Sequence, residues 1–404
     1  MKKLLSVVLA LLMLAVMLPV VAMADDANYC TIEGITETDG TTLKHFGTLT
    51  DAAKAWRERN GIATSGGNFG SHPAELTIDS ISWVISGSVG TGDGTGVVGT
   101  SGSLLSGGYI YPSIAINSVY IRGVNNAELK NELGSDDYAL TAGGKNVVYD
   151  GITFPEYVSF NFGAENVTFK NCTFKGGLKV MQAINVTVDN CKFEGDGSKD
   201  FAFFAQSVPA NSMKAVQFKN NTVSSFMRGI NVQADSTATV SITGNTITNL
   251  TGKDANGGKY GSAIQLTSGA SFTVTDNIIN IANGLNAFQL YEGLTAEVTI
   301  SNNKVTADYL IWNQAPETTT ISSADNTLNI KNANLANAKG ELVPDETVIN
   351  KAAPTQIVII TPTGDTPKTE PEKNPTTGAN DMVAAAAALM AVSALGMAVL
   401  SRKK

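Results

Sequence analysis

The residue types that could carry out chemistry in this chain are a few carboxylates and one arginine in its middle part. The candidates are Asp196, Asp200, Asp254, Glu292 and Arg228. Two carboxylates on either side of a glycosidic bond can hydrolyse it, and several gathered carboxylate oxygens can bind calcium. Arg228 is the only arginine between residues 123 and 401, so it is the first residue to test. Acidic loop residues are more often solvated than catalytic, and only the fold decides between these interpretations.

A second group of residues has the chemistry to bind a sugar. Its members are Asn231, Gln265, Gln289, Tyr291 and Trp312. Side-chain amides suit sugar hydroxyls, and aromatic rings suit the faces of sugar rings. Polar amides on a solvated sheet face need no ligand, however, and this simpler interpretation stays open. The elements that position both groups must therefore be found.

A nine-residue unit returns through the middle of the chain. Its copies are NVVYDGITF from 146, NVTFKNCTF from 166, NVTVDNCKF from 185, AVQFKNNTV from 215, TVSITGNTI from 239, SFTVTDNII from 271 and EVTISNNKV from 297, and a worn copy ends in DNTL at 325–328. The second, fourth and ninth positions are apolar in every regular copy, which predicts strands with alternating faces. The seventh position becomes asparagine from the fourth copy onward. We expect this asparagine to adopt the left-handed backbone of a tight bend and to stack its amide on identical neighbours.

A second strand recurs between copies. Its segments are KVMQA (179–183), FAFFA (201–205), GINVQ (229–233), SAIQL (262–266), AFQLY (287–291) and YLIWN (309–313). Copies start 19 to 32 residues apart, which leaves no room for a crossover helix in each coil. The pattern therefore predicts a solenoid of parallel strands, each coil about 4.8 Å from the next. An antiparallel sandwich would not explain why asparagine keeps one position in successive copies.

These units resemble the right-handed parallel β-helix proteins of the pectate-lyase-like superfamily, closely over residues 140–330. The resemblance implies an all-β fold and a substrate lying along the second strand, where Asn231, Gln265 and Gln289 would stand one above the other. Lyases of this superfamily pair a basic residue with acidic calcium ligands, a role that would fall to Arg228 and the carboxylates. The superfamily also contains hydrolases, adhesins and proteins without known chemistry, so the resemblance leaves the activity undecided.

Residues 25–139 are predicted to form an N-terminal cap and the first irregular coils, and residues 140–335 the regular solenoid. Within the first part, TLTDAAKAWRERN at 48–60 predicts a helix, because threonines at its start can cap it and Gly61 can end it. Leu49, Ala52, Ala53 and Trp56 would form one apolar side. Such a helix can cover the exposed end of a strand stack.

The N-terminal residues 1–24 have the order of a secretory signal peptide. Two lysines precede an apolar run, and small residues flank Met23. This pattern predicts cleavage between Ala24 and Asp25. A permanent N-terminal membrane helix is the weaker alternative, because the chain turns polar directly after Ala24.

The C-terminal end carries a three-part pattern. A proline- and threonine-rich linker, residues 336–373, precedes the pentapeptide NPTTG at 374–378, and an apolar run with the basic end SRKK follows it. The pattern resembles the sorting signal of sortase substrates of Gram-positive bacteria, usually LPxTG, with asparagine in place of leucine. The resemblance implies cleavage between Thr377 and Gly378 and attachment to peptidoglycan, so that residues 374–404 would span the membrane only before sorting. A simple membrane tail anchor is the alternative.

Composition excludes some classes of function. The formal net charge is −8, and removing both terminal segments takes away more basic than acidic residues, which argues against a nucleic-acid partner. Two histidines and three cysteines, without ligand spacing, give no support for a transition-metal site, although calcium stays possible. Cys172 and Cys191 would occupy neighbouring coils of one column, either as thiols or as a disulfide, and Cys30 has no evident partner.

The sequence therefore predicts a secreted protein that is anchored to the cell wall and displays an all-β parallel β-helix. Its expected function is to bind glycan, or the surface of a host or neighbouring cell, without turnover, with sortase and peptidoglycan as partners during anchoring. A surface-attached polysaccharide lyase or glycoside hydrolase is the alternative, and a structural stalk without ligand is a third.

Overall fold

A computed structural model describes most of the chain between Asn28 and Ile359. The described residues are 28–60, 76–78, 80–92, 114–132, 137–140, 144–160, 164–181, 183–207, 213–255, 258–291, 294, 296–315, 319–330, 334–336, 342–344 and 358–359. They belong to the first of the two units into which the chain divides, Met1–Ile360. The predicted signal cleavage site, the linker beyond 359, the NPTTG segment, the apolar C-terminal run and Glu292 lie outside them. In the described part, no helix combines the length and apolarity needed to cross a membrane.

The described chain consists almost entirely of short strands. The first part contains β1 (Tyr29–Ile32), α1 (Leu49–Arg59), β2 (Leu76–Ile78), β3 (Ile81–Gly90), β4 (Ile114–Ile116), β5 (Ser118–Lys130) and β6 (Asp137–Leu140). The coils that follow contain β7 (Gly144–Asp150), β8 (Thr153–Phe154), β9 (Tyr157–Phe160), β10 (Ala164–Lys170), β11 (Thr173–Phe174), β12 (Leu178–Met181), β13 (Asn185–Asp189), β14 (Lys192–Glu194), β15 (Phe201–Gln206), β16 (Ala215–Lys219), β17 (Thr222–Ser224), β18 (Arg228–Gln233), β19 (Thr239–Thr243), β20 (Thr246–Thr248), β21 (Lys253–Ala255), β22 (Gly258–Tyr260) and β23 (Ser262–Ser268). The last part contains β24 (Ser271–Thr275), β25 (Ile278–Asn280), β26 (Asn286–Leu290), β27 (Glu297–Ser301), β28 (Lys304–Ala307), β29 (Tyr309–Asn313), β30 (Thr320–Ala324), β31 (Thr327–Ile330), β32 (Asn334–Ala336), β33 (Leu342–Pro344) and β34 (Val358–Ile359).

Two long sheets of mostly parallel strands run along the molecule. Among the described residues, the larger has 20 strands, most of which come from the nine-residue units, and the smaller has eight, in the order β29-β26-β23-β18-β15-β12-β9-β6. The first residues of the units align across the larger sheet at Asn146, Asn166, Asn185, Ala215, Thr239, Ser271, Glu297 and Thr320. The predicted parallel solenoid and its register are therefore confirmed, including the worn last copy.

Apolar side chains from the second, fourth and ninth positions fill the space between the sheets. The aromatic ones stack from coil to coil: Tyr149 on Phe169 and Phe154 on Phe174, each with ring centroids 5.0 Å apart and planes 8° apart. Such pairs add about 0.5–1.5 kcal/mol beyond the burial of their area. The repeat thus forms its core by placing like residues above one another.

The asparagines at the seventh position form a buried ladder, listed from one end as Asn221, Asn245, Asn277, Asn303 and Asn326. Each side-chain amide donates to the Oδ1 atom of the next, at 2.9–3.1 Å. The same Nδ2 atom also donates to a backbone carbonyl of the preceding coil, as Asn245 does to Phe218 at 2.9 Å. The predicted stacking of amides is confirmed.

The predicted backbone conformation of these asparagines is wrong by one position. The left-handed residues stand at the sixth position, for example Asn171 (φ 55°), Asn220 (φ 57°) and Asp276 (φ 58°). The bend thus precedes the ladder residue, whose side chain turns into the core to satisfy buried backbone groups. Asparagine, aspartate and glycine tolerate this conformation best, which accounts for the residue types at the sixth position.

All three cysteines are buried free thiols. Cys172 and Cys191 extend the ladder by two coils, because the Cys191 backbone N–H donates to Asn221 Oδ1 at 2.8 Å and the Cys172 N–H to Cys191 Sγ at 3.4 Å. Burial raises the pKa of the Cys191 thiol far above its ordinary value, and that of Cys30 to about 12. Of the two predicted alternatives for Cys172 and Cys191, the structure thus contains the thiols.

The predicted N-terminal helix is present as α1, Leu49–Arg59. Thr48 caps it, because its Oγ1 accepts from the Asp51 N–H at 3.1 Å and donates to the Asp51 carboxylate at 2.8 Å. Ala52, Ala53 and Trp56 are buried as predicted. The helix packs against β1, which pairs only with β3 in the larger sheet, a position that suits the predicted capping role.

Candidate functional site

The smaller sheet lines up the predicted sugar-binding amides. Its register places Asn231 beside Gln265, Gln265 beside Gln289 and Gln289 beside Trp312. The predicted stacking of these residues is confirmed. Their role as ligands stays a prediction.

The sequence predicts these amides on an open face of the sheet, but in the structure they are buried. Asn231, Gln265 and Gln289 are each only 7% exposed. Their polar atoms bond to neighbours: Thr267 Oγ1 donates to Asn231 Oδ1 at 2.9 Å, and Gln289 Nε2 donates to Gln314 Oε1 at 3.0 Å. These buried amides bond to neighbouring side chains, so this column offers little free hydrogen-bonding capacity to a ligand.

The two predicted aromatic residues differ in their exposure. Tyr291, which directly follows β26, is 37% exposed. Trp312 is partly buried, and its Nε1 has no acceptor among the described residues. Of the predicted sugar-binding residues that the structure describes, Tyr291 is thus the most exposed.

An accessible groove opens where the same column continues toward the N-terminus. The register runs from Asn231 to Phe204 and from Phe204 to Lys179. The groove has a volume of about 530 Å³, and its lining residues are Tyr157, Gly176, Lys179, Lys199, Asp200, Phe201, Phe204 and Arg228. Small-molecule sites in proteins commonly measure about 300–1,000 Å³, so the groove is large enough for a small ligand.

Two neighbouring glycines, of which Gly176 lines the groove, stand where adjacent coils come close. A Cβ atom on Gly176 would lie 2.1 Å from the backbone nitrogen of Tyr157, and one on Gly177 would lie 2.6 Å from the carbonyl oxygen of Phe201. Gly177 also has a φ of 101°, which favours glycine. The chain thus passes close to the backbones of Tyr157 and Phe201 at positions where a side chain would clash.

The aromatic wall consists of Phe201 and Phe204. Their ring centroids are 5.8 Å apart with planes at 39°, and both side chains are partly exposed. The ammonium of Lys179 lies 5.3 Å from the centre of the Phe204 ring. Apolar ring surface and a cation therefore meet at one place.

Arg228 and Asp200 form a two-pronged ion pair at the rim. Arg228 Nε and Nη2 lie 2.6 Å from the two Asp200 oxygens, and the guanidinium stacks 3.7 Å from the centre of the Phe201 ring. Lys253 adds a contact to Asp200 at 3.4 Å. Burial alone would raise the pKa of Asp200, but the hydrogen bonds and charge of Arg228, with help from Lys253, hold it below its ordinary value.

The remaining predicted acidic residues are not gathered here. Asp196 is exposed and accepts hydrogen bonds from Ser198 in its own loop. Asp254 is exposed on β21, which pairs with β22 in a two-stranded antiparallel sheet. Within the described ranges, no group of three or more His, Cys, Asp or Glu residues could hold a metal ion. Among the candidates that the structure describes, only Asp200 and Arg228 are in contact.

Comparison with known protein families gives one match. Residues 113–279 match the family model described as Right handed beta helix region. The solenoid is a right-handed β-helix. No curated protein and no solved structure matches the chain. The match supports the fold of the β-helix and leaves its activity open.

The groove of the β-helix was missed in the sequence, although a signal for part of it was present. Extending the outward column two coils toward the N-terminus, from Asn231, leads to Phe204 and Lys179. Neither residue carries an amide, so a pattern of amides does not mark them. The two glycines and the Arg228–Asp200 pair depend on the turns between strands, which the repeat pattern does not specify.

Proposed function

We propose that this protein is displayed on the cell surface and binds glycan in the groove of its β-helix, without turnover. The observation that carries the proposal is the partly exposed pair of phenyl rings, Phe201 and Phe204, in a groove of about 530 Å³ with a polar rim. A glycan offers the matching chemistry, because the C–H faces of sugar rings pack on aromatic rings while their hydroxyls bond to polar groups.

The polar groups of the groove favour binding over hydrolysis. Among the described residues, Asp200 is the only acidic one in its lining, and both of its oxygens are engaged by Arg228. Glycoside hydrolysis generally uses two carboxylates across the scissile bond. Arg228, for its part, is held by Asp200 and Phe201, which suits a structural role at the rim better than the abstraction of a proton.

The proposed location on the surface rests on the two ends of the sequence. The signal peptide with its cleavage site at Ala24 and Asp25 would direct secretion, and the NPTTG pattern would let a sortase join Thr377 to peptidoglycan after removing the segment from Gly378 onward. The linker before NPTTG would then hold the β-helix away from the wall. Such an arrangement presents the groove to polymers outside the cell.

A glycan panel with the purified full-length chain tests the binding and the absence of turnover together. We expect binding to a subset of glycans, and neither new reducing ends nor unsaturated sugars after long incubation. Phe204→Ala should weaken binding about tenfold or more, because stacking on an aromatic ring contributes about 1–3 kcal/mol in comparable contacts.

Tyr291→Ala is the matched control, because it removes an exposed ring outside the groove lining. It should leave affinity unchanged. Binding to no glycan, or equal loss in Phe204→Ala and Tyr291→Ala, would overturn the proposed groove. Release of cleaved product would overturn the absence of turnover.

A further inference from the structure

The charge of the groove differs in sign from that of the whole chain. The chain has a formal net charge of −8. The groove lining, however, contains Lys179, Lys199 and Arg228 against the single carboxylate of Asp200. A ligand that enters this groove therefore meets a local excess of positive charge.

The excess is carried by the lysines, because Arg228 and Asp200 compensate each other at 2.6 Å. Among the residues described, neither Lys179 nor Lys199 has a carboxylate within salt-bridge distance. Lys199 does lower the pKa of Asp196 through its charge, after the larger effect of the Ser198 hydrogen bonds. Lys179 is thus the cation with the least compensation.

Lys179 is also the cation best placed to recognise a group attached to a stacked ring. Its ammonium lies 5.3 Å from the centre of the Phe204 ring, and its side chain is only partly exposed. A sugar ring that packs on Phe204 would bring a substituent on its edge next to this ammonium. A negative substituent would gain a charge-assisted hydrogen bond there.

We propose that the groove selects a sugar ring that carries one negative group, and that Lys179, assisted by Lys199, binds this group. The inference rests on the proposed glycan binding and adds the class of ligand. A lysine recognises charge as a compact point and does not impose the planar geometry that an arginine fork does. A carboxylated sugar and a sulfated sugar are therefore both candidates for this site.

The extent of the groove indicates that it takes the end of a glycan rather than a long run of it. The same column beyond Phe204 continues into Asn231, Gln265 and Gln289, which are each 7% exposed and bonded to neighbours. A polymer lying along all coils of the smaller sheet would meet little free hydrogen-bonding capacity at these three amides. One terminal anionic ring with its attached neighbour fits the accessible part.

Three matched oligosaccharides test the inference on the full-length chain. They differ only in the terminal sugar, which is glucuronic acid, glucose or glucose 6-sulfate, and binding is measured by titration calorimetry. We expect at least one of the two acidic probes to bind about fivefold to tenfold more tightly than the neutral probe, with the preference falling as salt rises. The tighter of the two identifies the carboxylate or the sulfate as the natural group.

Two charge variants assign the effect to the groove. Lys179→Gln keeps a polar side chain of similar length, so it should remove most of the acidic preference while the neutral probe binds as before. Lys192→Gln is the matched control, because Lys192 is exposed on the larger sheet, outside the groove lining, and it should change nothing. Identical melting temperatures check that both variants fold.

The outcomes separate this inference from the proposed function. Equal binding of all three probes, still lost in Phe204→Ala, would overturn the anionic selectivity and leave glycan binding standing. An acidic preference that survives in Lys179→Gln, or that disappears equally in Lys192→Gln, would also overturn the inference. Binding of no probe, together with an empty glycan panel, would overturn both.

Discussion

Arg228 and Asp200 face each other across two hydrogen bonds of 2.6 Å, with the guanidinium carbon 3.7 Å from the centre of the Phe201 ring. The two residues come from consecutive coils, 28 positions apart in sequence. The pair is bidentate, because two parallel N–H groups of the arginine donate to the two oxygens of the carboxylate. The pair therefore fixes the rim of the groove and keeps the loop at 194–200 against the next coil.

Breaking this pair from the acidic side should loosen the groove. The Arg228 side chain is only 16% exposed, and in Asp200→Ala its charge loses its main partner. We expect the free energy of unfolding to fall by about 1–2 kcal/mol and the melting temperature to fall with it. Glycan affinity should fall as well, because Asp200 no longer holds the guanidinium against Phe201. Thermal unfolding and calorimetric titration measure the two effects.

Asp196→Ala is the control for Asp200→Ala, since it removes an exposed carboxylate from the same loop. It should leave the melting temperature almost unchanged. If both variants behave alike, the ion pair does not organise the rim.

The asparagine ladder should contribute more to stability than any surface contact. Asn245 donates through Nδ2 to Asn277 and to the Phe218 carbonyl, and its Oδ1 accepts from the Asn221 backbone and side chain. In Asn245→Ala the buried groups lose these partners, at about 1–3 kcal/mol for each group left unsatisfied. Chemical denaturation should show that the free energy of unfolding falls by at least about 3 kcal/mol.

Thr246→Ala is the comparison for the ladder variant, since Thr246 stands next to Asn245 and is only partly buried on the outer side of β20. We expect Thr246→Ala to lower the free energy of unfolding by less than about 1 kcal/mol. Equal losses in the two variants would contradict a special role for the amide column.

The repeat pattern allowed the fold to be predicted because two signals agreed in every coil. Apolar residues at the second and fourth positions indicated strands, and the seventh-position column aligned the coils, as the hydrogen bond from Asn245 Nδ2 to Asn277 Oδ1 shows. The left-handed bend was assigned one residue too late, since Asn220 and Asn221 are both asparagines and only the backbone shows which one has positive φ. Local residue type alone does not distinguish them.

The groove could not be predicted in the same way. Its walls come from residues where strands begin and turns end, such as Tyr157, Gly176 and Arg228. The segments between coils vary in length and obey no period, so the sequence does not state which of them meet. Burial of Gln265 was equally hidden, because alternation along a strand indicates the side of the sheet and says nothing of what packs over it.

Acid should weaken the β-helix through Asp150. This carboxylate accepts hydrogen bonds from Tyr120 at 2.6 Å and from Asn171 at 2.7 Å, and it lies 3.2 Å from Lys170. Burial alone would raise its pKa, but the two hydrogen bonds and Lys170 hold it below the ordinary value. Because the pKa is lower in the folded state, the stabilisation is present above about pH 4 and is lost as the pH falls through the folded-state pKa.

The comparison that isolates this effect is the wild-type chain against Asp150→Asn at a series of pH values. At pH 7 we expect the wild type to melt about 2–4 °C higher, and the difference should shrink as the pH falls below about 4. Asp254→Asn, which removes an exposed carboxylate, should show no such convergence. A wild-type advantage that does not shrink as the pH falls below about 4 would contradict the assignment.

The NPTTG segment at residues 374–378 is predicted to attach the protein to the cell wall. If a sortase recognises NPTTG, the bond between Thr377 and Gly378 is the one that it cuts, so that Thr377 becomes the residue joined to peptidoglycan. The double variant Thr377→Ala with Gly378→Ala should then leave the wall fraction and accumulate in the membrane or the medium. Fractionation of the producing cells, followed by muramidase digestion of the wall, measures this shift.

A second variant distinguishes sorting from simple retention by the apolar run. Replacing Lys403 and Lys404 with alanine leaves NPTTG intact but removes part of the positive end that holds the segment during sorting, so we expect reduced wall attachment and more protein in the medium. Mass spectrometry of wall-released protein should find Asp25 as the first residue and Thr377 as the last. Wall-linked protein in the double variant, in unchanged amount, would show that the chain is attached in another way.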